Sequence, residues 1–175
     1  FYPIDAAYKV IDEKPVIHLF GRTIDNKQIC VLYGSFEPYF YVVPKKGFDI
    51  SDELKNLRVE REGSAYSIAR TEMVKKKYLG KEINAIKVFT KLPKDIPILR
   101  EELRNLSTVE SINENDILFV NRFLIDKNIT PLILYEAEGS FVAQKLKVPA
   151  FMADKIEQFS TETFLNPRIL SVDIE

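Results

Sequence analysis

The chain has 175 residues, and its last few include two carboxylates two positions apart, Asp173 and Glu175, behind the run Arg168-Ile169-Leu170-Ser171-Val172. Successive side chains of a strand point to opposite faces, so these two acids would stand side by side on one face. A pair so placed suits divalent metal ions and in-line phosphoryl transfer. The same spacing occurs at an ordinary solvated strand edge, and taken alone it does not separate the two readings. Few other residues offer chemistry. One histidine, His18, and one cysteine, Cys30, are too few for a multi-histidine or four-ligand zinc site or for an internal disulfide. His18 falls in Pro15-Val16-Ile17-His18-Leu19-Phe20, which reads as a strand with the imidazole partly exposed. Nothing in the sequence gives it a triad partner. Any catalysis therefore falls to carboxylates and metal ions.

Composition sets the wider limits. Hydrophobic residues make up 46% of the chain and the formal net charge is −1. A real core is expected, and the total charge neither requires nor excludes a nucleic-acid partner, because a local basic groove can coexist with a neutral sum. The densest apolar runs, Phe40 to Val43 and Pro131 to Tyr135, are strand-sized rather than membrane-sized. No basic segment followed by an apolar stretch opens the sequence. A soluble, cytoplasmic protein with no membrane partner is expected, and a single cysteine suits a reducing compartment.

The elements that must position these residues follow from periodicity. Ala7 to Ile11, Pro15 to Phe20 and Gln28 to Tyr33 read as a β-meander with turns at Asp12-Glu13-Lys14 and Asp25-Asn26-Lys27. Tyr39 to Val43 is a strand, and Ser51 is expected to cap a short helix whose Leu54 and Leu57 share a face. Tyr66 to Lys77 and Glu82 to Thr90 pair as strands around Leu79-Gly80-Lys81. Pro93 to Asn105 carries Ile96, Leu99, Leu103 and Leu106 at helical spacing, and Thr108 to Ile112 is a further strand. The resulting β-α-β-β-α-β order is that of ferredoxin-like units. A helix is expected over about 115–127, with Ile117, Val120 and Leu124 on its core stripe and Phe119 and Arg122 on another face. Leu132 to Tyr135 and Phe141 to Leu146 read as a hairpin around Glu138-Gly139-Ser140, and 149–159 as partly helical. The domain boundary is expected near 128–132.

Several blocks in this order resemble archaeal family B DNA polymerases. They are Lys14-Pro15-Val16-Ile17-His18-Leu19-Phe20, Phe36-Glu37-Pro38-Tyr39-Phe40-Tyr41, Lys76-Lys77-Tyr78-Leu79-Gly80-Lys81, Pro93-Lys94-Asp95-Ile96-Pro97 with Arg100, and Phe119-Val120-Asn121-Arg122-Phe123-Leu124-Ile125-Asp126. The closing Asp173-Ile174-Glu175 resembles the first exonuclease motif of the same family. Residues 129–167 match less clearly.

The resemblance implies an α+β chain with two parts. Residues 1–128 would be an N-terminal template-binding domain, a β-meander plus ferredoxin-like unit, and 129–175 a connector with the opening strand of an RNase H-like 3′–5′ exonuclease domain. In the family the N-terminal domain captures template uracil and stalls synthesis. The pocket carries over to Tyr8, Pro38, Tyr39, Pro93, Lys94, Asp95, Ile96, Pro97, Arg100, Glu114, Ile117, Phe119 and Arg122. Asp173 and Glu175 would be metal-binding catalytic residues, holding magnesium only with the rest of the exonuclease domain, so no activity and no cofactor are expected of this chain alone. Implied partners are single-stranded template and primer-template DNA, the remainder of the polymerase and, through its C-terminal part, a sliding clamp. A monomer is expected.

Three positions depart from the pattern. Ile96 stands where valine is familiar, Leu118 where proline is common, and Glu37 where a basic residue occurs. One methylene at a pocket wall changes discrimination by roughly 1–3 kcal/mol. The residues also leave other classes open: a standalone nucleic-acid-binding module without uracil specificity, a small-ligand regulatory domain, or a metal-dependent nuclease. Glu82 to Thr90 lacks the aromatic and glycine pattern of an RNA-recognition motif. Six scattered glycines form no phosphate-cradling loop. Lys75, Lys76 and Lys77 with Lys81 read either as phosphate contacts or as a solvated hairpin face.

Overall fold

The computed structural model describes residues 1–78, 80–164 and 171–173. It is mixed α+β and mostly strand. The described chain divides into two compact units that interleave in sequence. Unit one holds Phe1–Lys9, Val16–Ser35 and the residues from Phe123 onward; unit two holds Val10–Pro15 and Phe36–Arg122. The segment 1–128 therefore contributes to both.

Unit one is built on a five-stranded sheet of order β1-β2-β3-β10-β9. Its strands are β1 (Tyr2–Ile11), β2 (Lys14–Arg22), β3 (Gln28–Tyr33), β9 (Ile133–Val142) and β10 (Ala150–Thr163). β2 and β3 pair antiparallel from Ile17↔Tyr33 to Arg22↔Gln28. Both are continuous apolar runs, as strands buried on both faces must be, and Ile17, Leu19, Cys30 and Leu32 are fully enclosed. β10 joins β3 in parallel at Ala150↔Cys30. Asp12 and Glu13 take φ of 47° and 61° in the β1–β2 turn, the type I′ sense that matches strand twist.

Unit two carries a second five-stranded sheet, order β5-β6-β7-β4-β8. The strands are β4 (Tyr39–Pro44), β5 (Arg58–Arg61), β6 (Ser64–Tyr78), β7 (Lys81–Thr90) and β8 (Val109–Asn113); the helices are α1 (Ser51–Asn56) and α2 (Ile96–Arg104). Every neighbouring pair is antiparallel. Alternation along β4 and β7 sends Phe40, Val42, Ile86 and Val88 to one face, where they pack with Ile50 and Leu54 and with Ile96 and Leu103 of α2. Burying each such side chain contributes about 1.5–3 kcal/mol. The alternate residues Tyr39, Tyr41, Lys87 and Phe89 therefore face the other way. A third helix, α3 (Phe119–Asp126), follows β8.

Several expectations are corrected. Leu132 to Leu146 is not a hairpin. Glu138-Gly139-Ser140 runs inside the single strand β9, whose partner is β10 from Ala150↔Val142 through Gln158↔Tyr135. The glycine marks a close approach instead of a turn: a Cβ on Gly139 would lie 2.0 Å from the Met152 carbonyl oxygen. The same pairing makes 149–159 strand rather than helix, because an exposed face rich in Asp, Lys, Glu and Gln hid its period of two. β5, only four residues long, was not foreseen. The 93–105 helix is a 3₁₀ turn over Pro93–Asp95 followed by α2. Ser51 does not cap α1; Ile50 occupies that position, and Asp49 Oδ1 accepts the Ser51 N–H at 2.9 Å. α3 begins only at Phe119, and its buried residues are Phe119, Arg122 and Phe123 instead of the expected Ile117, Val120 and Leu124 stripe. His18 is buried, not partly exposed.

Candidate nucleic-acid interface

The predicted pocket residues gather where β4 starts and α3 begins. Pro38 accepts the Thr90 N–H at 2.9 Å, fixing the mouth of β4 against β7. Tyr39 follows, 5% exposed. Phe119 and Arg122, three apart on α3, share a face and are both buried. Phe36 links them, its ring 6.4 Å from Tyr39 and 5.4 Å from Phe119. The Arg122 guanidinium carbon lies 4.8 Å from the Tyr39 ring centroid, within the range of cation–π attraction.

Glu114 orients that arginine. Arg122 Nη2 donates to the Glu114 carbonyl at 3.0 Å, and Nη1 pairs with one Glu114 carboxylate oxygen while Lys76 Nζ pairs with the other. Glu114 itself sits at φ 59°, a left-handed conformation that costs a non-glycine residue about 1–3 kcal/mol and persists only where surroundings impose it. Burial pushes the Glu114 carboxyl up, but the hydrogen bonds from Lys76 and Arg122 outweigh it and hold the group below its ordinary value. The carboxylate thus stays charged and clamps the turn before α3.

Lys76 was not foreseen as a site residue, only as one of a lysine run. Strand alternation separates it from exposed Lys75 and Lys77 and turns it toward the sheet face, its Nζ 3.5 Å from the Tyr41 ring centroid. Lys87 and Phe89, also unforeseen, complete this face: Lys87 Nζ is 3.7 Å from the Tyr39 ring and Arg70 Cζ is 3.4 Å from the Phe89 ring. Arg70 is paired with Glu37 and Glu72. The available signal was the period-two pattern Tyr39, Tyr41 and Lys87, Phe89 on strands that must pair. A small cavity of about 40 Å³ lies among Tyr41, Lys76, Asn113 and Glu114, room for a water molecule but not a base.

The Pro93 to Pro97 segment is rigid by its bonding. Asp95 N–H donates to Leu92 O at 3.0 Å, and Leu92 N–H donates to Asp95 Oδ2 at 2.9 Å. Asp95 is buried, and desolvation pushes its carboxyl up. Ile96 belongs to the apolar core of unit two, while Lys94 and Pro97 are exposed and Pro93 is half-buried. Arg100 Nη1 donates to Asn115 Oδ1 at 3.0 Å, and Asn115 Nδ2 donates to Ile112 O at 3.1 Å, which ties α2 to the loop before α3. Ile117 is half-buried and Leu118 exposed.

Other predicted residues are not part of this cluster. Tyr8 lies on β1 in unit one, partly exposed. Asp173 is exposed, and Ser171, Val172 and Asp173 lie in no strand, contrary to the expected terminal strand. Glu175, with Arg168 to Leu170 and Ile174, lies outside the described residues. No group of three His, Cys, Asp or Glu side chains able to hold a metal occurs among the described residues. The larger cavity, about 300 Å³ and mostly apolar, lies in unit one between Phe1, Ile29, Leu134, Phe141 and Phe159. No predicted site residue lines it. Elsewhere in unit one, burial pushes the Cys30 thiol up to about 11 and lowers the His18 imidazole, with Lys9 adding to the effect.

No family model matches the chain. It is 38% identical over 145 residues to DNA polymerase 2 of Aeropyrum pernix, covering 82% of this chain and 18% of that protein. It is 35% identical over 168 residues to the DNA polymerase of Pyrococcus glycovorans, covering 95% of this chain and 20% of the relative. Among solved structures, the family B DNA polymerase from the hyperthermophilic archaeon Pyrobaculum calidifontis aligns with a TM-score of 0.79 at 24% identity, over 96% of this chain and 21% of that one. The shared fold and the shared sequence define a portion of a DNA polymerase. The chain is homologous to archaeal DNA polymerases over most of its length and shares its fold with part of a family B DNA polymerase, consistent with an N-terminal portion of such an enzyme. It spans a fifth or less of the length of these relatives.

Proposed function

We propose that the chain binds single-stranded template DNA for a DNA-directed DNA polymerase and recognises uracil in it, so that synthesis stalls ahead of the lesion. The observation that carries this reading is the convergence of Pro38, Tyr39, Phe119 and Arg122 in one buried cluster held by Glu114. These are residues that the polymerase resemblance marks as a pocket, and they come from two separate segments, the entry to β4 and α3.

The chemistry is that of a base taken out of the stack. In this reading, uracil would be held by backbone N–H and C=O groups that match its edge. An apolar wall excludes the thymine methyl group, and cytosine presents a different donor and acceptor pattern. Arg122 supports the wall, and Ile96 belongs to the same proposed set. The strand order and all-antiparallel pairing of unit two support the ferredoxin-like assignment, with residues 1–128 as the functional template-binding region.

Asp173 and Glu175 are proposed as the opening ligands of a 3′–5′ exonuclease site. Bound magnesium would supply charge stabilisation for phosphodiester hydrolysis there. Both acids act only with the carboxylates of a complete exonuclease domain, so the chain alone is inactive. The parent polymerase, its primer-template and a sliding clamp are the proposed partners.

The test is binding to labelled single-stranded DNA carrying one uracil, against thymine and cytosine controls at a fixed salt concentration. Preference for uracil is expected. Equal binding to all three strands leaves a template-binding module without base recognition.

A further inference from the structure

The sheet face of unit two opposite α1 and α2 has four cations set against three aromatic rings, one of them Arg122 from α3. Three of those cations are ion-paired. Arg70 pairs with Glu37 and Glu72, and Lys76 and Arg122 share Glu114. Lys87 differs. Its cross-strand neighbour is Glu72, but that carboxylate is engaged by Arg70, and among the described residues Lys87 forms no ion pair. Its ammonium lies 3.7 Å from the Tyr39 ring and 4.9 Å from the Phe89 ring. Arg122 approaches the same tyrosine at 4.8 Å. Tyr39 thus has two cations against it and only one of them has a carboxylate.

From this geometry we infer that Lys87 is a phosphate contact for single-stranded DNA, placed beside Tyr39 so that the strand crosses this sheet face. The inference rests on the proposed template-binding function. A lysine in front of aromatic rings cannot relax onto a neighbouring acid without losing its cation–π contacts, worth about 0.5–1 kcal/mol at an exposed site. It is half-buried, so solvent and an anion both reach it. A nucleotide whose base sits at the Tyr39, Phe119 and Arg122 end carries its phosphate one sugar away, which brings that charge over Lys87. Phosphates position the strand and carry no base information, so Lys87 would add affinity equally for every sequence.

The counterion signature makes this measurable. Each phosphate neutralised on a single strand adds about 0.7 to the slope of log affinity against log salt. Binding of the chain to labelled oligonucleotides with uracil or thymine is measured across a salt series. Lys87→Gln is expected to lower the slope by about 0.7, with the uracil-to-thymine ratio unchanged. Lys87→Arg should retain the wild-type slope, and Lys75→Gln, on the opposite face of β6, should leave it unaltered. Circular dichroism checks that each variant is folded. An unchanged slope in Lys87→Gln, or an equal loss in Lys75→Gln, overturns the assignment of Lys87 while leaving uracil preference standing. Absence of any binding by the wild-type chain removes both this inference and the reading beneath it.

Discussion

Removing the Lys76–Glu114 pair, singly and together, tests how the candidate site is held. The variants are Lys76→Met, which keeps the aliphatic stem over Tyr41, and Glu114→Gln, which keeps the shape but not the charge. The side chains are 29% and 32% exposed, between the exposed pairs that contribute about 0.2–1 kcal/mol and buried ones whose disruption costs about 3–5 kcal/mol. A coupling of roughly 1–2 kcal/mol at neutral pH follows from that intermediate exposure. The assay is urea unfolding of the wild type, both single variants and the double variant. Because the folded-state pKa of Glu114 is depressed below its ordinary value of 4.5, the coupling should be fully present above that value. It should disappear as pH falls through the lower folded value. Additivity within about 0.3 kcal/mol at pH 7 would refute the clamp, as would a coupling that survives protonation of the carboxylate.

Three further outcomes are expected. His18 is buried with both ring nitrogens unpartnered, and its pKa is lowered, so stability should be full above the unfolded value near 6.5 and fall on acidification below it. The slope is at most about 1.4 kcal/mol per pH unit, and it should flatten in His18→Leu when urea midpoints are compared across pH. Gly139→Ala would put a Cβ 2.0 Å from the Met152 carbonyl oxygen; a loss of roughly 3 kcal/mol or more is expected by the same assay. Ile96→Val, at a core position of unit two, should cost about 0.5–1.5 kcal/mol of stability, read by the same urea assay.

Sequence patterning carried most of unit two, because its strands and α2 keep one apolar face each. β4, β7 and α2 were legible from Phe40, Val42, Ile86, Val88, Leu99 and Leu103 alone. The β9–β10 ribbon was not. Its outer faces are charged, and Gly139, which usually punctuates a turn, instead makes room for the facing backbone. The α3 stripe was misassigned for a related reason: Arg122 is buried by its bonds to Glu114, a contact eight residues away that helical periodicity does not register. Within the site, the resemblance located Pro38, Tyr39, Phe119 and Arg122, but Lys76 and Lys87 emerged only when strand pairing set them over Tyr41 and Tyr39.

The most direct measurement of the central claim is a nuclear magnetic resonance titration of the isotopically labelled chain with a short single-stranded oligonucleotide carrying one uracil. Amide shifts are predicted to concentrate at Tyr39, at 94–96 and at 114–119, and to weaken sharply when thymine replaces uracil. Shifts that are confined to β9 and β10, or that are the same for both bases, would contradict template-uracil recognition by this cluster.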